Sequence, residues 1–288
     1  MIKTRNGQTV VTNEGQNKLL KKLYGSVSGR ILLKGLTAPA LSKAVGIFMD
    51  SRLSKPVIKP FIKKNKIDIS EYCMDNINSY NEFFTRKVKS SKRPVDYEPG
   101  HLISPCDSKL TVYKIGRNSI FRIKGSRYRL SDLLQNQFLA DRFGGGYCLI
   151  FRLEVNDYHR YCYIDNCSKT DNTFIQGELH TVNPIALERY NIYKRNSREY
   201  TVMHTDNFGD VVQIEVGAML VGRIVNHHGE CTARRGEEKG MFEFGGSTIV
   251  MLFEKDSISI DYDILRNSAN GDETIVKYGE KIGTAVSD

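Results

Sequence analysis

The spacing of apolar residues changes near residue 100, and this change constrains the fold more than any other feature. Beyond it, apolar residues alternate in short runs punctuated by glycine: Lys109–Ile115, Tyr147–Leu153, Val211–Val216 and Ala218–Ile224. Alternation with a period of two is typical of strands, and short strands separated by turns are typical of antiparallel sheet. The sequence therefore predicts an α+β fold with a mainly antiparallel β domain over residues 71–288, which would carry any catalytic site.

Residues 1–70 follow a different pattern, with apolar residues at helical spacing among lysines and arginines. Pro39 interrupts this pattern, and the stretch from Lys55 to Lys66 is strongly basic. We interpret the segment as two or three amphipathic helices. Their apolar faces could pack on the core, as in most amphipathic helices, or dock on an anionic membrane surface, where apolar burial and lysines act together. The segment by itself leaves both explanations open.

One short helix is predicted inside the strand-rich region. The stretch Ser131–Phe138 carries helical spacing, and Ser131 suits the N-cap position because a serine hydroxyl can accept a hydrogen bond from a free backbone N–H.

The net charge of +9, from 42 Lys and Arg against 33 Asp and Glu, points to a polyanionic partner. Nucleic acid, an anionic membrane and an acidic substrate all fit, and so does simple solubility. No run of about 18 apolar residues is present, so no membrane-spanning helix is expected. The first residues contain no apolar core of the kind that marks a secretory signal.

The cysteines give no sign of a metal site. The chain has 6 of them, at positions 73, 106, 148, 162, 167 and 231, without a CxxC pair or a His/Cys cluster at zinc-ligand spacing. We expect scattered reduced thiols in a cytosolic protein, and no bound metal.

A glycine pair precedes a serine between two apolar runs, in the sequence Gly245-Gly246-Ser247-Thr248. Glycine accepts strained backbone angles and leaves its own carbonyl open to attack. With a base to take its proton, the Ser247 hydroxyl could attack the Gly246 carbonyl and convert the peptide to an ester. Elimination would then release a new C-terminus at Gly246 and leave dehydroalanine, which water converts to a pyruvoyl group and ammonia. The pattern is also typical of an ordinary hairpin turn.

Two further segments could serve such a serine. His159 follows the predicted strand ending at Leu153, a common position for a general base. Asp107 lies on a proline turn before a predicted strand, where its carboxylate could orient an imidazole. Each also has a structural explanation, since a histidine often only bonds to backbone and an aspartate often only stabilises a turn.

Taken in order along the chain, six segments resemble the phosphatidylserine decarboxylase family between about residue 80 and residue 254. They are Asn81-Glu82-Phe83-Phe84-Thr85-Arg86, Arg93-Pro94-Val95-Asp96, Ser104-Pro105-Cys106-Asp107, Asp157-Tyr158-His159-Arg160, Thr181-Val182-Asn183-Pro184 and Gly245-Gly246-Ser247-Thr248.

The resemblance implies a self-cleaving proenzyme. Cleavage between Gly246 and Ser247 would give a long chain, residues 1–246, and a short chain, residues 247–288, that stay together. Asp107, His159 and Ser247 would be the processing triad. Ser247 would become a covalent pyruvoyl cofactor, whose carbonyl acts as an electron sink. The same site would decarboxylate phosphatidylserine to phosphatidylethanolamine.

This sequence departs from the family pattern at three points. Many members carry a second histidine where Cys162 stands, so His159 would have to serve both steps, or His180 would assist. Asp107 is flanked by Cys106 and Ser108 instead of Ala and Gly. Gly245 stands where leucine or valine is common, and the resulting flexibility should not block cleavage.

The resemblance favours membrane docking for the N-terminal helices, with a peripheral location on the cytoplasmic face of the cell membrane. The predicted partners are phosphatidylserine, an anionic membrane surface and the two chains of one precursor, with no nucleic acid and with a homodimer left open. A pyruvoyl decarboxylase of a soluble amino acid is the nearest alternative. A basic nucleic-acid-binding protein is supported by charge alone, and a conventional serine hydrolase lacks the G-x-S-x-G elbow.

Overall fold

A large antiparallel sheet forms the centre of the molecule. The computed structural model describes residues 1–10, 39–123, 126–177, 196–217, 223–243 and 247–286. The spatial order of the sheet is β14 (Cys231–Ala233), β9 (Cys167–Lys169), β11 (Arg198–Thr205), β12 (Gly209–Val216), β16 (Ser247–Phe253), β7 (Tyr147–Leu153), β4 (Ser108–Lys114), β18 (Glu273–Val276), β1 (Ile2–Lys3) and β2 (Thr9–Val10), with β10 (Thr173–Ile175) also paired to β11. Its pairs are antiparallel apart from β1 with β18.

Three smaller sheets flank it. One consists of β13 (Arg223–Asn226), β15 (Glu238–Glu243) and β8 (Arg160–Cys162), and is called the cover sheet below. The second consists of β17 (Ile258–Ile260), β19 (Lys281–Ala285) and β3 (His101–Ile103), and the third of β5 (Ile120–Ile123) and β6 (Ser126–Arg129). The predicted α+β class with mainly antiparallel sheet is confirmed.

Helices are few and short. They are α1 (Pro39–Asp50), α2 (Ile58–Asn65), α3 (Tyr80–Phe84), α4 (Leu130–Leu134), α5 (Gln137–Arg142) and α6 (Tyr262–Ala269), with 3₁₀ turns at Arg52–Val57, Ile69–Glu71 and Ser90–Lys92. Within the described ranges, no helix combines the length and the apolarity needed to cross a bilayer.

The single helix predicted for Ser131–Phe138 is wrong in its bounds and its cap. The segment forms two helices, because Gln135 adopts a left-handed conformation with φ of 50° and ends α4. Arg129, not Ser131, is the N-cap of α4. The Asn136 side chain instead caps α5, accepting a 3.0 Å hydrogen bond from the amide of Leu139.

Alternating side chains of the main sheet supply two separate cores. Residues such as Ile150, Val212 and Val250 pack with α4, α5 and the β5–β6 hairpin on one face. The intervening residues, such as Phe151 and Ile249, pack under the two three-stranded sheets and α6 on the other. The period-two pattern of the sequence therefore encodes a sheet buried on both sides.

The N-terminal helices lie against a third, smaller cluster. Ile58 of α2 is buried with Tyr80, Phe83 and Phe84 of α3, and Phe61 packs beside them. Much of the proposed helical segment, residues 11–38, falls outside the described residues. Since β1 and β2 join the main sheet, the first ten residues pack apart from these helices, and the domain division at residue 70 stays a prediction.

A buried ion pair fastens the cover sheet to the main sheet. The Lys239 Nζ of β15 lies 2.8 Å from the Glu215 Oε1 of β12, and both side chains are 0% exposed. Lys239 also donates to Asn226 Oδ1 at 2.8 Å, and Gln213 donates to Glu215 at 2.9 Å. Ions removed from water remain charged only when such partners compensate for lost hydration, so the pair specifies how the two layers meet.

We expect Lys239→Met to lower the free energy of unfolding by about 3–5 kcal/mol, because it leaves the Glu215 carboxylate buried without a cation. Adding Glu215→Gln to that variant should recover part of the loss. Urea denaturation followed by circular dichroism measures both.

The control is Arg223→Met in the same cover sheet. Arg223 is 67% exposed and lies 3.7 Å from Glu243, so the loss should stay below about 1 kcal/mol. A Lys239→Met variant no less stable than the Arg223→Met variant would contradict the assigned role of the buried pair.

Candidate active site

Ser247 lies where the chain crosses from one layer to the other. β15 ends at Glu243 in the cover sheet, whereas β16 begins at Ser247 in the main sheet, and the two strands do not pair. The Gly-Gly-Ser segment is therefore not the turn of an ordinary hairpin. Gly245 and Gly246 lie outside the described residues.

The Ser247 hydroxyl is buried without a hydrogen bond. Ser247 pairs with Leu153 of β7 and shares a face with Ile249, so its side chain points toward the core under the cover sheet. It is 0% exposed, and within the described part of the chain its Oγ has no hydrogen-bond partner. A buried unsatisfied hydroxyl costs about 1–3 kcal/mol, so such a group calls for a functional explanation.

The register of three strands brings Asp107 to the same end of the sheet. Arg152 of β7 pairs with Thr248 of β16 on one side and with Lys109 of β4 on the other. Ser247 and Asp107 precede those two partners by one and two residues. They therefore flank the end of β7 from opposite sides.

Cationic groups, and not an imidazole, hold the Asp107 carboxylate. Arg93 donates from Nε at 2.8 Å and from Nη2 at 2.7 Å, Lys277 lies 3.2 Å away, and the amide of Tyr278 donates at 2.9 Å. Burial alone would raise the pKa of Asp107, but the hydrogen bonds from Arg93 and the charge of Lys277 outweigh it and lower that pKa below its usual value. Asp107 is thus a fixed anion at neutral pH.

His159 is fixed by its backbone and by one ring nitrogen. Its carbonyl accepts a 3.0 Å hydrogen bond from Phe242 of β15, the strand that leads toward Ser247. Its Nδ1 lies 3.0 Å from the carbonyl oxygen of Asp157. Because a carbonyl only accepts, Nδ1 carries the hydrogen in the neutral ring and Nε2 carries the basic lone pair. This tautomer suits a general base.

Asp157, the first residue of the Asp-Tyr-His-Arg motif, is paired with a buried lysine, although burial raises the pKa of its carboxyl group. Lys109 Nζ lies 2.8 Å and 2.6 Å from its two carboxylate oxygens, and the amide of Glu154 donates to it at 2.7 Å. The carboxylates of Asp157 and Glu154 raise the pKa of Lys109 despite its burial. The loop that carries His159 is therefore tied to β4, the strand that follows Asp107.

Cys162 does not replace the histidine common at its position as a base. Its amide donates to the carbonyl of Pro105 at 3.0 Å, which joins β8 to the turn before Asp107. Burial raises the pKa of its thiol to about 12, so the sulfur remains protonated at neutral pH. His180, the other candidate base, lies outside the described residues.

Sequence reasoning missed the groups that hold Asp107 and His159. Arg93 belongs to one of the segments that resemble the family, so the sequence contained some indication that it is important. Lys277 lies 170 residues from Asp107, and nothing in the sequence indicated their contact. A cavity of about 160 Å³ opens beside Asp107 and is lined by charged groups of both signs, including Lys66, Glu71 and Lys277.

Comparisons with known proteins place the chain in a family. The sequence profile described as phosphatidylserine decarboxylase matches residues 80–284. The chain is 49% identical over 269 residues to phosphatidylserine decarboxylase proenzyme 2 of Clostridium acetobutylicum, covering 93% of this chain and 92% of that one. It is 41% identical to the phosphatidylserine decarboxylase proenzyme of Clostridium botulinum, with 92% of each covered. With that of Clostridium perfringens it shares 40% identity over 98% of this chain and 99% of the other.

The chain therefore belongs to the phosphatidylserine decarboxylase family, a family of carboxy-lyases. The resemblance identified from the sequence is confirmed. The roles of Asp107, His159 and Ser247 stay predictions.

We expect Asp107→Asn to lower the free energy of unfolding at pH 7 by about 3–5 kcal/mol, because it leaves Arg93 and Lys277 short of a buried anion. The folded pKa of Asp107 lies below its ordinary value of 3.8, so the carboxylate stabilises the fold above that pH, and this is lost as pH falls through the folded pKa. The difference in free energy of unfolding between wild type and variant should therefore be smaller at pH 3 than at pH 7. Urea denaturation at the two pH values measures it.

Asp68→Asn is the matched control, since Asp68 is an exposed carboxylate lining the same cavity. Asp68→Asn should leave the free energy of unfolding nearly unchanged at both pH 7 and pH 3. Equal losses for Asp107→Asn at pH 7 and pH 3 would show that the ion pair is not the cause.

Proposed function

We propose that this protein is a proenzyme that cleaves itself between Gly246 and Ser247 and then decarboxylates phosphatidylserine to phosphatidylethanolamine. The observation that carries the proposal is the buried Ser247 hydroxyl at the first position of an inner strand, which has no hydrogen-bond partner among the described residues. Family membership supports the substrate, because the relatives are named for it. A nucleic-acid-binding role has only the net charge in its favour.

The self-cleavage chemistry assigns a task to each group. Ser247 Oγ attacks the Gly246 carbonyl carbon, and Nε2 of His159 takes the hydroxyl proton and returns it to the departing amine. Asp107 does not contact the imidazole through a hydrogen bond; we assign it an electrostatic role, stabilising positive charge on His159 from the end of β4. Loss of the Ser247 α-proton then breaks the bond from Cβ to oxygen, and water completes the conversion with release of ammonia.

The surroundings of Ser247 fit a pyruvoyl group. A ketone has no hydrogen to donate, so the lack of a hydrogen-bond partner suits the product as well as the nucleophile. When formed, the group supplies a carbonyl that accepts electrons as carbon dioxide leaves. The burial of Leu153 and Ile249 supports a site from which water is excluded, and we assign proton transfer there to His159.

The short chain would remain in place after the cut. Residues 247–288 contribute β16, which lies between β12 and β7, and β18, which lies between β4 and β1. Separating the chains would break both sets of strand pairs and open the two cores.

We expect purified protein to contain two chains divided between Gly246 and Ser247, the short one without a free amine, as intact mass spectrometry would show. Ser247→Ala should stay at full length and inactive, because no hydroxyl can attack.

The control is Ser259→Ala, which changes an exposed serine of β17 and should be cleaved as the wild type is. A wild-type protein that decarboxylates phosphatidylserine while remaining a single chain of 288 residues would sink the proposal.

A membrane-facing surface is the second part of the proposal. Residues 47–66 contain six lysines and arginines against one acidic residue. Within them, Ile47, Leu53 and Val57 are 65%, 77% and 39% exposed. Exposed apolar side chains beside several cations are typical of segments that lie on anionic bilayers. We therefore assign a peripheral position on the cytoplasmic face of the cell membrane, where anionic lipid is available.

Replacing two of the exposed apolar residues, by Leu53→Ser and Val57→Ser, should weaken binding to vesicles containing phosphatidylserine by about tenfold, because less apolar area leaves water on docking. Co-sedimentation measures this. Added salt should weaken wild-type binding too, since it screens the lysines.

Phe138→Ser is the control, because Phe138 is 83% exposed on α5, outside the proposed surface. Equal wild-type binding to neutral and phosphatidylserine vesicles at every salt concentration would refute the electrostatic part. Absence of wild-type binding to either kind of vesicle would favour a decarboxylase of a soluble amino acid.

A further inference from the structure

The ring of Phe84 lies directly against the imidazole of His159. Their centroids are 4.1 Å apart at an interplanar angle of 41°, and both side chains are 0% exposed. Phe84 is the last residue of α3 and the second phenylalanine of the Phe83-Phe84-Thr85-Arg86 segment. The proposed self-cleavage and decarboxylation steps assign no role to this contact.

Contact between a neighbouring side chain and the faces of an imidazole adds to the constraint that a hydrogen bond at its edge supplies. The hydrogen bond from Nδ1 to the carbonyl of Asp157 fixes one edge of the imidazole, and side chains packed on the ring determine its tilt about that edge. Asp107 is held by Arg93, Lys277 and the amide of Tyr278, so it does not supply the constraint. The ring of Phe84, packed at 4.1 Å between centroids and inclined at 41°, limits such tilting.

We propose that Phe84 is a positioning residue, which sets the plane of His159 so that Nε2 is aimed for proton transfer. The inference rests on the proposed function, because it assumes that His159 is the base.

Hydrogen bonds at both ends hold α3 in place. The Ser79 hydroxyl caps its start by accepting from the amide of Glu82 at 3.2 Å, and the amide of Tyr80 donates to Ser54 Oγ at 2.8 Å. At its end the carbonyl of Thr85 accepts from Arg160 Nε at 2.7 Å. Since Arg160 follows His159 directly, α3 contacts the base by its ring and anchors the next residue.

The aromatic contacts continue from Phe84 to the surface proposed to face the membrane. Tyr80 stacks on Phe84 at 6.2 Å between centroids, and Phe61 of α2 meets Tyr80 edge-on at 5.2 Å. Phe84 is therefore connected through Tyr80 to α2, the helix that carries exposed lysines.

Phe84→Leu tests the proposal, because leucine keeps an apolar group of similar size but has no flat face. We expect self-cleavage of purified protein to slow by about 10- to 100-fold, the usual cost of a misplaced reacting group. His159→Gln sets the lower limit of the rate. A gel time course over a range of pH follows the reaction, and the midpoint of the pH profile should shift with the altered surroundings of the imidazole.

Phe83→Leu is the matched control. Phe83 is also 0% exposed, lies in the same helix and apolar cluster, and contacts Phe61 and Arg86 instead of His159. Both variants should lower the unfolding temperature, but Phe83→Leu should be cleaved within about twofold of wild type. Equal rates and equal pH midpoints for the two variants would overturn the role of Phe84, whereas absence of cleavage in wild type would overturn the proposed function itself.

A second readout does not depend on cleavage. In the uncleaved Ser247→Ala protein, imidazole ¹⁵N NMR reports which nitrogen of His159 carries the hydrogen. We expect the Nδ1–H tautomer there, and a mixture of tautomers when Phe84→Leu or Phe84→Met is added. An unchanged tautomer in both would count against the proposal.

Discussion

The way the cover sheet meets the main sheet depends on the buried ion pair between Lys239 and Glu215. It joins β15 to β12 at a point where neither side chain reaches water, and so fixes the cover sheet over one face of the main sheet. β15 in turn holds the carbonyl of His159 through Phe242, while β12 is paired with β16, which begins at Ser247. The ion pair therefore links the layer that holds His159 to the layer that holds Ser247. Local sequence preferences do not encode such a link between layers.

Charge is arranged in separate compartments around the site. Arg93 and Lys277 pair with Asp107 and lower its pKa, whereas Asp157 is paired with Lys109 but burial still raises its pKa. At Cys162 burial outweighs the hydrogen bond with Tyr278 and raises the pKa of the thiol to about 12, so the sulfur stays protonated at neutral pH. Imidazole is the side chain whose ordinary pKa lies nearest neutrality, which is why we assign proton transfer at this site to His159.

The sequence predicted the strands well because alternation reports burial directly. The predicted run Tyr147–Leu153 coincides with β7, and Lys109–Ile115 differs from β4 by one residue at each end. The predicted helix at Ser131–Phe138 was wrong because a left-handed Gln135 divides it, a backbone choice with no side-chain signature. In the site, the order of motifs indicated Asp107, His159 and Ser247, but their partners come from distant segments. Which cation meets Asp107, and which ring meets His159, depends on layer packing that periodicity does not encode.

The inner position of β16 has a thermodynamic consequence. While the chain is continuous, unfolding is a unimolecular event, and its midpoint does not depend on protein concentration. Once residues 247–288 are a separate chain, the unfolded state consists of two molecules, and recovery of the fold requires them to meet again. For refolding, β16 of the short chain must be inserted between β12 and β7 of the long chain, which are not neighbours without it. The stability of the cleaved protein would therefore be kinetic, set by a slow rate of unfolding. A molecule that did unfold would not refold.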